Sequence, residues 1–335
     1  MKIKHVLMIF LTIASLPFAV QVRADRLAIF DEDTEIVREL GSGSPLRLSA
    51  LIERHFFAGV SDYQIGDEWG KKVVDSARRP ETDPVYYRTV HATAFFNSAT
   101  AFYLGRFVGQ HVMATNHHVM SSDWECDGRS ANFTVRKKRH RCKEFIGSWP
   151  EVDLALFTLE TNPEVDRDLQ GVGGNFDFAN SISADLPLLT AGFGVAGNAS
   201  RQMVVNENAD CRVISGDDEF RLLADPDRYN PATYKAWSFA TGCSVSHGDS
   251  GSAVVSRQNG KVVGIVWTGA IPKEERVQRS SYLRELQLRR DEEVWSLLTY
   301  VVPAKKIAER LRRALTDGEL TEEQQSLVRE LLNGR

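Results

Sequence analysis

The chain has 335 residues, a formal charge of −4, and 42% hydrophobic against 26% charged residues. That balance fits a folded globular protein and excludes a charge-driven disordered chain. Mild net acidity gives no global electrostatic reason to bind nucleic acid or anionic lipid.

At the start, Lys2, Lys4 and His5 precede an apolar run from Val6 to Val20, and Val22-Arg23-Ala24 closes the segment. A basic start, an apolar middle and small residues before a cut are the layout of a secretory signal peptide over residues 1–24. The run falls short of the roughly 20 apolar residues a comfortable membrane span needs. Removing it takes away Lys2, Lys4 and Arg23, leaving 311 residues at a formal charge of −7. The expected location is the periplasm or the medium, with no membrane attachment after cleavage.

Residues 25–87 read as an N-terminal extension or propeptide. Short helices are expected at Glu35–Leu40 and Leu46–Phe57, and the charged, proline-bearing stretch Arg78–Pro84 reads as a linker. If the extension is removed, Arg78-Arg79 is the expected place of cutting.

From Tyr86 to Val302, short apolar stretches recur between turn signals: His91–Phe96, Ala101–Phe107, His111–Ala114, Leu154–Leu159, Leu188–Phe193, Ala253–Ser256 and Val262–Val266. Asn259-Gly260 between the last two is a strong hairpin signal. Many short strands with few helices predict an all-β antiparallel barrel or sandwich over residues 88–302 rather than a parallel α/β sheet. Residues 303–335 form a helical tail: Ile307, Leu311 and Leu315 fall at four-residue steps, and Thr321 with Gln324 makes a capping box after Asp317-Gly318.

Four cysteines remain after export: Cys126, Cys142, Cys211 and Cys243. An even count in an oxidising compartment points to two disulfides, with three pairings open. Local closure favours Cys126–Cys142 and Cys211–Cys243. No Cys-x-x-Cys pair is present, and neither a metal nor another cofactor is expected. The basic run Arg136–Arg141 reads as a solvated hairpin tip, with polyanion contact as its functional alternative. Trp149, Trp237 and Trp267 read as packing residues.

The chemistry concentrates in three places. Gly248-Asp249-Ser250-Gly251-Ser252 exposes a hydroxyl on a tight glycine-flanked turn, where backbone N–H groups can converge on a developing oxyanion. A serine hydroxyl needs a base in reach, and Asn116-His117-His118-Val119 supplies imidazoles at the end of a predicted strand. Asp153 heads the apolar stretch Leu154-Ala155-Leu156, where a buried carboxylate needs a hydrogen-bonded partner. A Gly-x-Ser-x-Gly elbow is excluded because Ser252 takes the fifth position, and no histidine follows Ser250. A subtilisin-type order is excluded because the aspartate follows the histidine.

These three motifs, in the order His, Asp, Ser, resemble those of trypsin-fold serine peptidases, especially the bacterial V8-like group, over about two thirds of the chain. The resemblance implies a double antiparallel β-barrel with an active site between the barrels. It implies His118 rather than His117 as base, Asp153 as orienting acid, Ser250 as nucleophile, and the amides of Gly248 and Ser250 as oxyanion hole. The implied primary pocket lies between Ser244–His247 and Val266–Gly269, with Ser244, His247, Val266, Trp267 and Thr268 as lining residues. Neither stretch holds a carboxylate, and Val266 stands where glutamate-specific relatives carry histidine. A small or apolar substrate side chain is therefore expected. Trypsin-like zymogens pair a new N-terminal amine with the aspartate before the serine, but no Ile-Val-Gly-Gly-type start stands near Tyr86. The expected function is that of an exported serine endopeptidase acting on protein or peptide substrates. The alternative is an idle trypsin-fold binding or adhesion module.

Overall fold

The short apolar stretches pair into two antiparallel β units in the computed structural model, which describes residues 59–198 and 202–334. The expected signal peptide and the helices at Glu35–Leu40 and Leu46–Phe57 lie outside the described residues.

The first unit is a closed six-stranded barrel, ordered β2-β3-β4-β7-β6-β5. Its strands are β2 (Thr93–Phe96), β3 (Ala99–Phe107), β4 (Gln110–Thr115), β5 (Ser130–Phe133), β6 (Lys138–Trp149) and β7 (Leu154–Leu159). Ala101, Tyr103, Met113, Phe133 and Phe157 fill the interior, and the Phe96 and Phe157 rings stack 4.5 Å apart. Phe102, Leu104, Val112 and Leu156 alternate with them and point outward, yet they are buried too. With both faces covered, these strands read in sequence as unbroken apolar runs.

The second sheet follows the order β1-β9-β8-β12-β13-β14-β11-β10. It contains β1 (Lys71–Val73), β8 (Leu188–Gly192), β9 (Val204–Asn206), β10 (Arg221–Ala224), β11 (Lys235–Thr241), β12 (Ala253–Ser256), β13 (Val262–Gly269) and β14 (Thr299–Pro303). Its loop back is made by residues 211–214. Leu188 N donates to Cys211 O at 2.9 Å, and Ile214 N to Ala240 O at 2.9 Å, so one segment bridges β8 to β11. Leu188, Val213, Phe239, Val254, Val263 and Val301 pack inside. The arrangement is the expected double antiparallel barrel. The β12–β13 hairpin forms where Asn259-Gly260 predicted it, with Gly260 at φ +72° closing the connection.

Cys126 pairs with Cys142 and Cys211 with Cys243, the two local closures. The basic run lies at the β5–β6 turn, where Lys138 reaches Asp168 at 3.2 Å and Glu164 at 3.3 Å. Two expectations need correction. Arg78–Pro84 is not a bare linker, because Asp83 caps and Pro84 opens helix α1 (Pro84–Ala92). Proline is well placed there, since a first-turn N–H has no helical partner to lose. His91 and Ala92 consequently belong to α1, and the strand expected at His91–Phe96 begins only at Thr93.

Helices α2 (Pro163–Asp168), α3 (Ser280–Arg289) and α4 (Val294–Leu297) sit in connections, and α5 (Ala304–Thr316) and α6 (Glu322–Asn333) end the chain. The Thr321–Gln324 capping box is present. Ile307 and Leu311 are fully buried, in one cluster with Ile265 and Tyr300 of the second barrel and Leu104 and Leu156 of the first. Leu315, expected on the same stripe, is only half-buried, and Ala314 takes the inner position. Trp149 Nε1 donates to Glu319 at 3.0 Å, and Gln324 Nε2 reaches Phe145 O at 3.4 Å. The tail thus braces both barrels. Leu311→Ala should cost about 2–5 kcal/mol of unfolding free energy, measured by denaturant titration.

Candidate active site

Each motif residue is placed by a local backbone device. After β4, Val119 N and Met120 N donate to Asn116 O, folding residues 116–120 into a turn. Asn116 Nδ2 donates to Asp153 O at 2.8 Å, tying that turn to the head of β7. Asp153 ends the 3-10 turn Pro150–Val152 in a left-handed conformation, φ 34° and ψ 51°, which aspartate tolerates better than most residues. Its carboxylate is fully buried.

That carboxylate is satisfied on both oxygens. His118 Nδ1 donates to Oδ2 at 2.9 Å, and His118 N and Tyr234 OH donate to Oδ1 at 3.1 and 2.8 Å. The Nδ1 bond leaves Nε2 as the basic nitrogen. His117 points elsewhere, with Nδ1 2.7 Å from Ser148 Oγ, and burial lowers its pKa. Tyr234 was not singled out by the sequence. It lies 81 residues from Asp153 in an unremarkable stretch, and no local pattern marks it. Burial, followed by the Asp153 charge, raises its hydroxyl pKa and keeps it a donor.

The Ser250 loop meets the first barrel through Thr100. Thr100 N donates to Ser250 O at 3.0 Å, Thr100 Oγ1 donates to Gly248 O at 2.8 Å, and Thr115 Oγ1 donates to Thr100 O at 2.7 Å. His118 follows Thr115 by three residues, so the two loops face one another. Gly248 stands at φ +94°, and a Cβ there would lie 2.6 Å from Phe193 O; no other residue fits. The amides of Asp249, Gly251 and Ser252 are spent within the fold, on Ser246 O, Val266 O and Asp249 O. Among the described residues, those of Gly248 and Ser250 donate to no protein acceptor. The structure therefore joins His118 to Asp153 by hydrogen bonds. It places Ser250 on the facing loop, where its Oγ makes no hydrogen bond to His118. Nucleophile–base bonds are often long before substrate arrives.

The expected pocket residues have varied surroundings. Ser244 Oγ accepts from Ile65 N at 3.0 Å, so the N-terminal segment occupies that hydroxyl. Val266 lies in the interior of the second barrel. Trp267 is buried with Nε1 donating to Ser238 Oγ at 2.8 Å. Thr268 Oγ1 donates to Asp225 Oδ1, and His247 Nε2 bonds Asp227 Oδ2 at 2.8 Å. These contacts correct the charge reading. The two stretches hold no carboxylate themselves, but the loop after β10 brings Asp225 and Asp227 against them, and the expected apolar preference loses its premise. Burial raises the Asp225 pKa. Burial also pushes Asp227 upward, but the His247 bond and the Tyr229 and Asn230 amides outweigh it and leave Asp227 low. Lys273 is buried nearby, with Nζ donating to Leu298 O at 2.8 Å. An open cleft of about 740 Å³ elsewhere, lined by Arg106, His111 and Asp166, contains none of the motif residues.

A two-barrel fold with a carboxylate-steadied histidine facing a glycine-flanked serine defines the trypsin-like class of hydrolase. Residues 99–265 match the trypsin-like peptidase domain, so this part of the chain is a domain of that family. Membership makes the protein a peptidase with protein or peptide substrates, without singling out the V8-like group. No curated protein matches the chain. Among solved structures, it is similar to the inactive form of the Rv3671c protease, at 18% identity and TM-score 0.45, covering 69% of this chain and 93% of that one. The active form from M. tuberculosis gives 17%, 0.43, 69% and 84% in the same order. An HtrA-type protease, AlgW with decapeptide, gives 14%, 0.43, 73% and 68%.

Lys273 provides a pH test. Burial pulls its pKa down to about 7, with the charge of Asp227 pulling back. Between that value and the ordinary lysine range the unfolded chain binds the extra proton, so this group makes stability rise with pH. Lys273→Met should remove that rise. The denaturation midpoint of the variant relative to wild type should be higher at pH 7 than at pH 10.

Proposed function

We propose that the protein is an exported serine endopeptidase with His118, Asp153 and Ser250 as its catalytic triad. The observation that carries this reading is the His118 Nδ1–Asp153 bond, opposite a turn whose Gly248 and Ser250 amides have no protein acceptor among the described residues.

In this mechanism His118 Nε2 takes the Ser250 hydroxyl proton as Oγ attacks the substrate carbonyl. The oxygen of the tetrahedral intermediate gathers charge between the Gly248 and Ser250 amides, whose fixed dipoles need no reorganisation. The imidazolium is stabilised by Asp153 and passes its proton to the leaving amine. Water, activated by the same nitrogen, then releases the acyl group. Tyr234 and the His118 amide hold the carboxylate so that it steadies the useful tautomer. Export is supported by the signal-like residues 1–24 together with the two disulfides, which persist in oxidising compartments.

A fluorophosphonate probe should label Ser250, and Ser250→Ala should abolish labelling and lower kcat on the order of 10⁶-fold. A wild-type chain that neither labels nor cleaves peptides would favour the idle binding module. Tyr234→Phe should keep the fold and lower kcat on the order of tenfold, the typical worth of a hydrogen bond to a charged group. Export predicts that the mature chain, sequenced from its N-terminus, begins at Asp25.

A further inference from the structure

Asp249 stands between the two residues whose amides the mechanism uses, and its carboxylate is sealed inside the protein. Oδ1 accepts from Gly194 N at 3.0 Å, and Oδ2 accepts from Ser246 N at 2.8 Å and Ser246 Oγ at 3.3 Å. The counter-charge arrives from far away in the chain: Lys71 Nζ pairs with Oδ2, with side-chain exposures of 3% for the lysine and 4% for the aspartate. A Cβ on Gly194 would fall within 2.4 Å of Asp249 Oδ2, Lys71 Nζ and Ser246 Oγ alike, so only glycine leaves room for the pair there.

Lys71 belongs to β1. Its ladder to β9 sets Lys71 opposite Asn206 and Val73 opposite Val204, and Val74 N continues it to Met203 O. Lys72 faces solvent while Lys71 turns inward. Upstream, Ile65 N binds Ser244 Oγ and Gly66 N binds Val277 O. The segment is thus laced along the second barrel and delivers one ammonium beneath the serine turn. A buried carboxylate deprived of its cation must protonate or seek water, and either moves the backbone that carries it.

We propose that Lys71 is a positioning residue whose ammonium holds Asp249, and with it the Gly248–Ser250 amides, in the reactive shape, so that the active chain retains its N-terminal segment through Lys71. This rests on the peptidase reading of Ser250. Cleavage at Arg78-Arg79 with loss of the upstream piece would remove the cation from beneath the nucleophile.

The test uses the full chain as wild type, Lys71→Met and Lys71→Met/Asp249→Asn. Each is checked for folding by its thermal midpoint and read by kcat and KM on a peptide substrate, and by hydrogen exchange at residues 246–251. Lys71→Met should lower kcat by about 10²–10³-fold, the loss expected when an oxyanion donor is misplaced, with KM little changed. Exchange at 246–251 should rise at least tenfold. The double variant should regain part of the protection and not the turnover. A folded Lys71→Met with wild-type kcat and wild-type exchange overturns the proposal, as does an active species lacking Lys71. If Lys71→Met does not fold, wild-type turnover in the double variant overturns it. If the wild type neither labels nor cleaves, the peptidase reading fails separately. Exchange at 246–251 then decides the role of Lys71, unchanged protection in the variant counting against it.

Discussion

The candidate active site depends on how one buried threonine spends its polar atoms. Thr100 donates its amide to Ser250 O and its hydroxyl to Gly248 O, while that hydroxyl accepts from Phe193 N at 3.1 Å and its carbonyl accepts from Thr115 Oγ1. Thr100 and Thr115 belong to the first barrel, Phe193 follows β8 of the second, and Gly248 and Ser250 lie on the glycine-flanked serine turn. One residue therefore fixes how far the histidine edge lies from the serine turn. Buried polar groups must be paired, so no member of this set can move without leaving another unsatisfied.

Around that junction, the two carboxylates of the site serve different ends. Asp153 accepts three bonds, all from groups that orient or support His118. Asp249 accepts from two amides, a hydroxyl and an ammonium, and it shapes backbone. Asp153 therefore orients the histidine, and Asp249 ties down the backbone of the turn that faces it.

What the sequence reveals follows the range of the interaction. The serine turn, the hairpin at Asn259-Gly260, the capping box at Thr321 and both disulfides are local patterns, each readable within a few residues or one short loop. The family motifs identify His118 and Asp153 because their neighbours in the chain are distinctive. Lys71, Tyr234, Asp225 and Asp227 are ordinary polar residues in ordinary surroundings, and only the closed fold gives them partners. Asp83-Pro84 shows how a correct local rule can mislead: proline disfavours a helix interior, but one position after an aspartate cap it begins one. Burial of strands on both faces likewise hides which residues point inward, since Phe102 and Tyr103 read alike.

The ladder between β1 and β9 also sets an order of assembly. A chain emerging from its N-terminus presents Lys71 long before Val204–Asn206 and Asp249 exist to receive it. The six-stranded barrel can close as soon as residue 159 has appeared, because all its pairings lie within residues 93–159. The second barrel must wait for β14, and the brace of α5 and α6 comes last. Until residues 204–206 appear, β1 has no strand to pair with, and Lys71 has no carboxylate to receive it until Asp249 follows. A half-made chain therefore carries the histidine edge without a finished serine turn opposite it.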